Sequence, residues 1–100
     1  MADDVHPDEL RTRLAAGEAV FVLDVREADE VAEWAFPGAV NVPLSELGGR
    51  TAELPGDRPI VVVCHAGVRS SVAADALCRA GWRAENLAGG VMAWLATEEP

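Results

Sequence analysis

The sequence predicts an α/β fold built on a parallel sheet. Short apolar runs alternate along the chain with amphipathic or turn-rich segments. The strongest run, Ile60–Val63, is β-branched throughout, as a central strand requires. With 100 residues, half of them hydrophobic, the chain suits one compact domain over residues 1–100.

The elements follow in order. Val5-His6 reads as a short first strand, and Pro7-Asp8-Glu9 opens a helix with a proline in its first turn and acids at its positive end. Leu10 and Leu14, spaced i, i+4, give that helix an inward face, and Gly17 stops it. Ala19–Val25 is a strand broken only by Asp24 and covered on both faces. Glu27–Trp34 is an acidic helix turned inward through Val31 and Trp34. Pro37-Gly38 is a turn, Ala39–Val42 a strand, and Pro43-Leu44-Ser45 a short helix ending at Gly48-Gly49. Leu54–Pro59 is a loop before the central strand. Ser70–Ala80 is a helix rich in alanine, capped by Gly81. Ala84–Leu87 is a weaker strand, Gly89-Gly90 a tight turn, and Val91–Ala96 the last helix.

Charge narrows the function. The net charge is −9 and all eight basic residues are arginine, so no basic patch is available for nucleic acid or an acidic membrane surface. No apolar run reaches the roughly 18–20 residues of a membrane span. The start Met-Ala-Asp-Asp lacks the basic, then apolar pattern of a signal peptide, which leads to the expectation of a cytoplasmic protein. Two cysteines, Cys64 and Cys78, are too few for a disulfide framework. Eight residues of helix from Ser70 would carry Cys78 roughly 12 Å along the axis, too far to bridge to Cys64.

The informative segment is Cys64-His65-Ala66-Gly67-Val68-Arg69-Ser70, set between the central strand and a helix. Sites in open α/β sheets form at the carboxyl ends of strands. A cysteine at a helix N-terminus sits in a field that favours its thiolate. Lowering a thiol from about 8.5 to roughly 6 takes about 3.4 kcal/mol. A helix terminus supplies up to about 2 kcal/mol. The remainder has to come from direct N–H donors, each worth roughly 1.5–3 kcal/mol to a charged acceptor. A loop curled about the sulfur, turned at Gly67, would form such a nest, and Arg69 would add charge or brace it.

Four segments in order carry a family resemblance: Leu23-Asp24-Val25-Arg26-Glu27, Pro37-Gly38-Ala39-Val40-Asn41-Val42-Pro43, Cys64 through Ser71, and Leu87-Ala88-Gly89-Gly90-Val91-Met92-Ala93-Trp94. Together they resemble a single-domain rhodanese, a thiosulfate or persulfide sulfurtransferase. The resemblance implies a rhodanese-like three-layer α/β/α domain with a central, mainly parallel sheet of about five strands. It also implies that Cys64 takes a sulfane sulfur from a donor such as thiosulfate and passes it to a thiol, cyanide or a protein acceptor. The persulfide-binding loop would be His65, Ala66, Gly67, Val68 and Arg69, supported by Asp24, Arg26 and Ser70. No cofactor and no metal are implied. Two positions depart from the family: Trp34-Ala35-Phe36 stands where Gly-His-Ile is frequent, and His65 where an arginine or lysine is frequent.

Plainer readings compete. Cys64 is weighed against an inert core thiol, and Cys78, beside Leu77, is read as packed. His65 next to Cys64 makes a poor tetrahedral site, and no second pair has ligand spacing. Asp24 is weighed as a general acid or base against a brace for the backbone near Arg26. The tryptophans are read as packing residues, and Glu27, Asp29, Glu30 and Glu33 as a solvated face. A cysteine phosphatase or arsenate reductase shares such a loop, but those phosphatases place five residues between Cys and Arg where this chain has four. A sulfur-relay module acting on a protein partner is the other alternative.

Overall fold

A computed structural model describes residues 1–98. Its strands are β1 (Asp3–Val5), β2 (Phe21–Asp24), β3 (Val40–Asn41), β4 (Ile60–Val63) and β5 (Ala84–Leu87). All pair in parallel, in the order β1-β5-β4-β2-β3. The helices are α1 (Pro7–Ala15), α2 (Ala28–Glu33), α3 (Leu44–Leu47), α4 (Val68–Arg79) and α5 (Gly90–Ala96).

The side-chain alternation of β4 builds both halves of the core. Ile60 and Val62 meet Leu47 of α3 and Ala73, Ala74 and Leu77 of α4. Val61 and Val63 meet Leu10 of α1 and Val91 and Trp94 of α5. Helices therefore cover the sheet on both faces, in three layers. All four β4 residues are fully buried, each contributing about 1.5–3 kcal/mol of apolar burial. On the α5 side, Phe36 packs on Trp94 with ring centroids 4.7 Å apart, and the Arg11 guanidinium lies 3.7 Å above the Trp94 ring.

The topology also makes a crevice. The chain leaves β2 toward β3 and leaves β4 toward β5, in opposite directions. Asp24 at the end of β2 is in register with Val63 at the end of β4. The strand order reverses between these two ends, which is where open α/β sheets gather their sites.

Several boundaries differ from the sequence reading. β1 is Asp3–Val5, not Val5-His6, because its three residues pair in register with Glu85–Leu87. β2 is limited to Phe21–Asp24, the stretch that pairs residue for residue with β4. β3 is only Val40–Asn41, an edge strand with Val40 exposed. Leu14 is 37% exposed and contributes little to the inward face of α1. No residue of α2 is fully buried: Val31 and Trp34 reach half-buried positions, and a Glu27–Glu30 capping box holds the start of the helix. A 3₁₀ turn over Thr51–Glu53 went unpredicted. The α4 helix begins at Val68, two residues earlier than expected.

The start of α5 is seated on the chain beyond β4. The Val91 N–H donates to the Cys64 carbonyl at 2.8 Å, and the Met92 N–H to the His65 carbonyl at 3.0 Å. Gly90, at φ +61°, permits this approach: a Cβ there would lie 2.4 Å from the Cys64 carbonyl oxygen and 2.6 Å from that of His65. Both neighbours are backbone and cannot swing aside. Gly90→Ala is expected to lower stability by at least about 2 kcal/mol, seen as a lower denaturant midpoint with an unchanged slope. A midpoint equal to wild type would show that the seat is not rigid.

Candidate active site

β4 ends at Val63, and the next residues form a four-residue loop, Cys64–Gly67. Gly67 takes φ +92°, and its Cα faces the main chain of Gly89, so a Cβ would come within 3.0 Å of the Gly89 nitrogen. That left-handed residue turns the chain sharply enough for Val68 and Arg69 to enter the first turn of α4. Both were expected in the loop; both lie in the helix.

The loop is wrapped around the Cys64 sulfur. The Gly67 N–H donates to Sγ at 3.1 Å and the Ser70 N–H at 3.3 Å, with Ser70 Oγ 3.2 Å away. Burial opposes ionisation and is the largest single influence on this thiol. The N–H groups of Ser70, Gly67 and Ala66, with the Ser70 hydroxyl once its proton faces the ionised sulfur, together outweigh it, holding the thiol below its ordinary value. Cys64 is 1% exposed, so the sulfur sits at the floor of its cradle. His65, Ala66 and Val68 are exposed above it, while Gly67 is buried.

Ser70 is fully buried and has a second partner: Oγ lies 2.6 Å from Asn86 Oδ1 on β5. Asn86, itself buried, donates through Nδ2 to Asp4 Oδ1 at 3.0 Å. Neither Asn86 nor Asp4 was singled out from the sequence. The sequence offered little signal for them: Ala84–Leu87 reads Ala-Glu-Asn-Leu, with two polar residues in four, and only the fold sets Asn86 beside Asp4 in register.

Asp24 and Arg26 form a buried ion pair, 1% and 3% exposed. Arg26 Nη2 donates to Asp24 Oδ2 at 2.7 Å and to the Trp34 carbonyl at 2.8 Å, and Nε donates to both Asp24 oxygens. The Asp24 carboxylate also accepts the Arg26 N–H at 2.9 Å. This brace ties the end of β2 to the segment after α2. Arg69 is not among the hydrogen-bond donors to the sulfur: its two Nη groups grip the Glu30 carboxylate at 2.7 and 2.8 Å, linking α4 to α2. Both arginines nearest the loop thus spend their charge on carboxylates. A cleft of about 300 Å³, lined by Arg26, Glu30, Glu33, Trp34, His65, Val91 and Leu95, opens beside the loop. Cys78 is a half-buried free thiol whose Sγ donates to the Ala84 carbonyl at 3.2 Å. Among the described residues, no group of three or more His, Cys, Asp or Glu is placed to hold a metal ion. Likewise, no helix among them is long and apolar enough to cross a membrane.

The Arg69 guanidinium holds Glu30 down to about 2, with the Glu27 N–H adding to the effect. A carboxylate depressed on folding contributes stability above its ordinary value of 4.5 and loses that contribution as pH falls toward about 2. Glu30→Gln is therefore expected to flatten the acid limb of the stability–pH curve over that window, measured by denaturant midpoints. An acid limb as steep as that of wild type would remove the bridge from the account.

Comparisons with known proteins agree with this architecture. The model of the rhodanese-like domain family matches residues 6–97. A sulfurtransferase of Allochromatium vinosum is 36% identical over 95 residues, spanning 94% of this chain and 89% of that one. The putative sulfurtransferase YtwF of Bacillus subtilis is 33% identical over 91 residues, spanning 91% and 88%. Among solved structures, a rhodanese-related protein of Thermoplasma volcanium superposes with a TM-score of 0.89 at 28% identity, covering 98% of this chain and 95% of its own. The three-layer parallel fold and the family match together place this chain in the rhodanese-like domain family.

Proposed function

We propose that the protein is a sulfurtransferase that carries sulfane sulfur on Cys64. The observation that supports this reading is the convergence of the Gly67 and Ser70 N–H groups and the Ser70 hydroxyl on one sulfur atom. Both relatives named above are called sulfurtransferases, one of them putatively.

With thiosulfate as donor, the Cys64 thiolate attacks the sulfane sulfur. An S–S bond forms, and sulfite leaves with the electron pair of the broken bond. The terminal sulfur of the persulfide is an anion, and the loop donors suit it as they suit the thiolate. An acceptor then attacks that terminal sulfur: cyanide leaves as thiocyanate, or a thiol leaves as a new persulfide, and the Cys64 thiolate is regenerated. Two separate displacements give ping-pong kinetics.

The geometry suits a sulfur better than a phosphoryl group. Four residues separate Cys64 from Arg69, and the Arg69 guanidinium is committed to Glu30 instead of being aimed over the loop. A protein acceptor is favoured as a second reading by two exposed apolar side chains flanking the loop, Val68 at 72% and Met92 at 57%.

Incubation with thiosulfate should add the mass of one sulfur atom to the protein, and cyanide should remove it. Cys64→Ser is expected to abolish loading and Cys78→Ser to retain it; loading that survives in Cys64→Ser would refute the assignment. Because the Cys64 thiol is held below its ordinary value, the loading rate should rise with pH and level off below the usual thiol range near 9.0. A rate still climbing through that range would contradict a pre-ionised thiol. Turnover of an aryl phosphate, with no sulfur loading, would favour the phosphatase reading instead.

A further inference from the structure

The hydrogen-bonded chain Asp4–Asn86–Ser70–Cys64, buried from Asn86 inward, has a direction set by which atoms can donate. Asp4 Oδ1 only accepts, so the Asn86 atom facing it must be the donating Nδ2. The Asn86 oxygen then faces Ser70, and at 2.6 Å it takes the one proton that the Ser70 hydroxyl owns. Toward Cys64, the same hydroxyl is left with lone pairs. With Sγ at 3.2 Å, Ser70 accepts from the thiol S–H and has nothing to give a thiolate until its proton turns. Ser70 is fully buried and Asn86 is 5% exposed, which leaves little room for water to take over the vacated contact.

We infer that Asp4, through Asn86, is a positioning residue that sets the direction of the Ser70 hydroxyl and thereby restrains ionisation of Cys64. On ionisation the thiol proton leaves to solvent, and the Ser70 proton swings from Asn86 Oδ1 to the sulfur. The Asn86 oxygen loses its donor in that step, and the loss is the restraint. Asp4 is the register neighbour of Asn86 across the β1–β5 pair, so an exposed edge strand sets a bond inside the core. The Arg69 charge on α4, paired with Glu30 on α2, also couples to the sulfur. The other charged or titratable groups around the loop are His65 on the loop and the Asp24–Arg26 pair at the end of β2. The α5 helix, seated on the loop, carries no titratable side chain. The inference rests on Cys64 being the reacting thiol.

The test is a thiolate titration by ultraviolet absorbance in a Cys78→Ser background, where Cys64 is the only thiol. Asp4→Asn lets the Asn86 amide turn over, frees the Ser70 proton for the sulfur, and should lower the midpoint by about one pH unit, a tenfold gain in ionisation. In Ser70→Ala the same substitution should shift it by less than about a third as much, because the route through the hydroxyl is gone. Asp3→Asn, the adjacent charge on the same strand, should leave the midpoint within that smaller range. An equal shift with and without Ser70, or an equal shift from Asp3→Asn, would mean that Asp4 acts only by charge through space and would overturn the inference. An unchanged or raised midpoint in Asp4→Asn overturns it as well. Sulfur loading of the same proteins is followed separately by mass: its absence would defeat the sulfur-transfer reading, while the titration cycle would still judge the relay.

Discussion

A sulfur atom buried at the carboxyl end of a fully buried strand cannot carry charge unless its surroundings replace water. Everything around Cys64 answers that constraint. Two main-chain N–H groups lie within 3.3 Å of Sγ, supplied by a loop whose path is closed at one side by the first turn of α4. Polar donors of this kind only work if they are already aimed, since a mobile loop would lose in ordering what it gains in contact. The rigidity comes from elsewhere: α5 grips the Cys64 and His65 carbonyls, Gly67 lies against Gly89, and Arg69 ties the helix to α2.

The buried Asp24–Arg26 pair plays a different part from the one its position invites. It stands at the crevice, yet every side-chain hydrogen bond of Arg26 goes to Asp24 or to the carbonyls of Glu30 and Trp34. Its work is to fix the exit of β2 and the segment leading to Phe36, which packs on Trp94. In that way the strand beside the loop, and the helix that seats the loop, share one support. The charge balance of the cleft follows: its arginine is paired, Glu33 is not paired among the described residues, and His65 stands exposed.

Much of this was legible in the residues. The all-β-branched run Ile60–Val63, followed at once by Cys64 and a glycine-turned loop, pointed to the candidate site, because a strand end and a helix start have strong local signatures. What escaped were features set by tertiary contact. The α4 start depends on Gly67 meeting Gly89, two positions far apart in sequence. The partners of Arg69 and Ser70 lie on α2 and β5, and no local pattern names Glu30 or Asn86. Leu14 kept helical spacing yet is 37% exposed, because spacing along a helix does not say how far the facing layer extends.

The seat of α5 on the loop also gives the molecule a built-in optical reporter. Trp94 lies three residues beyond the N–H that holds the Cys64 carbonyl, is 5% exposed, and has a guanidinium 3.7 Å above its ring. Indole emission is sensitive to such a neighbour and to small changes in its distance. A displacement of the loop large enough to admit a bulky reactant would be transmitted to that helix and read as a change in fluorescence, with no label attached.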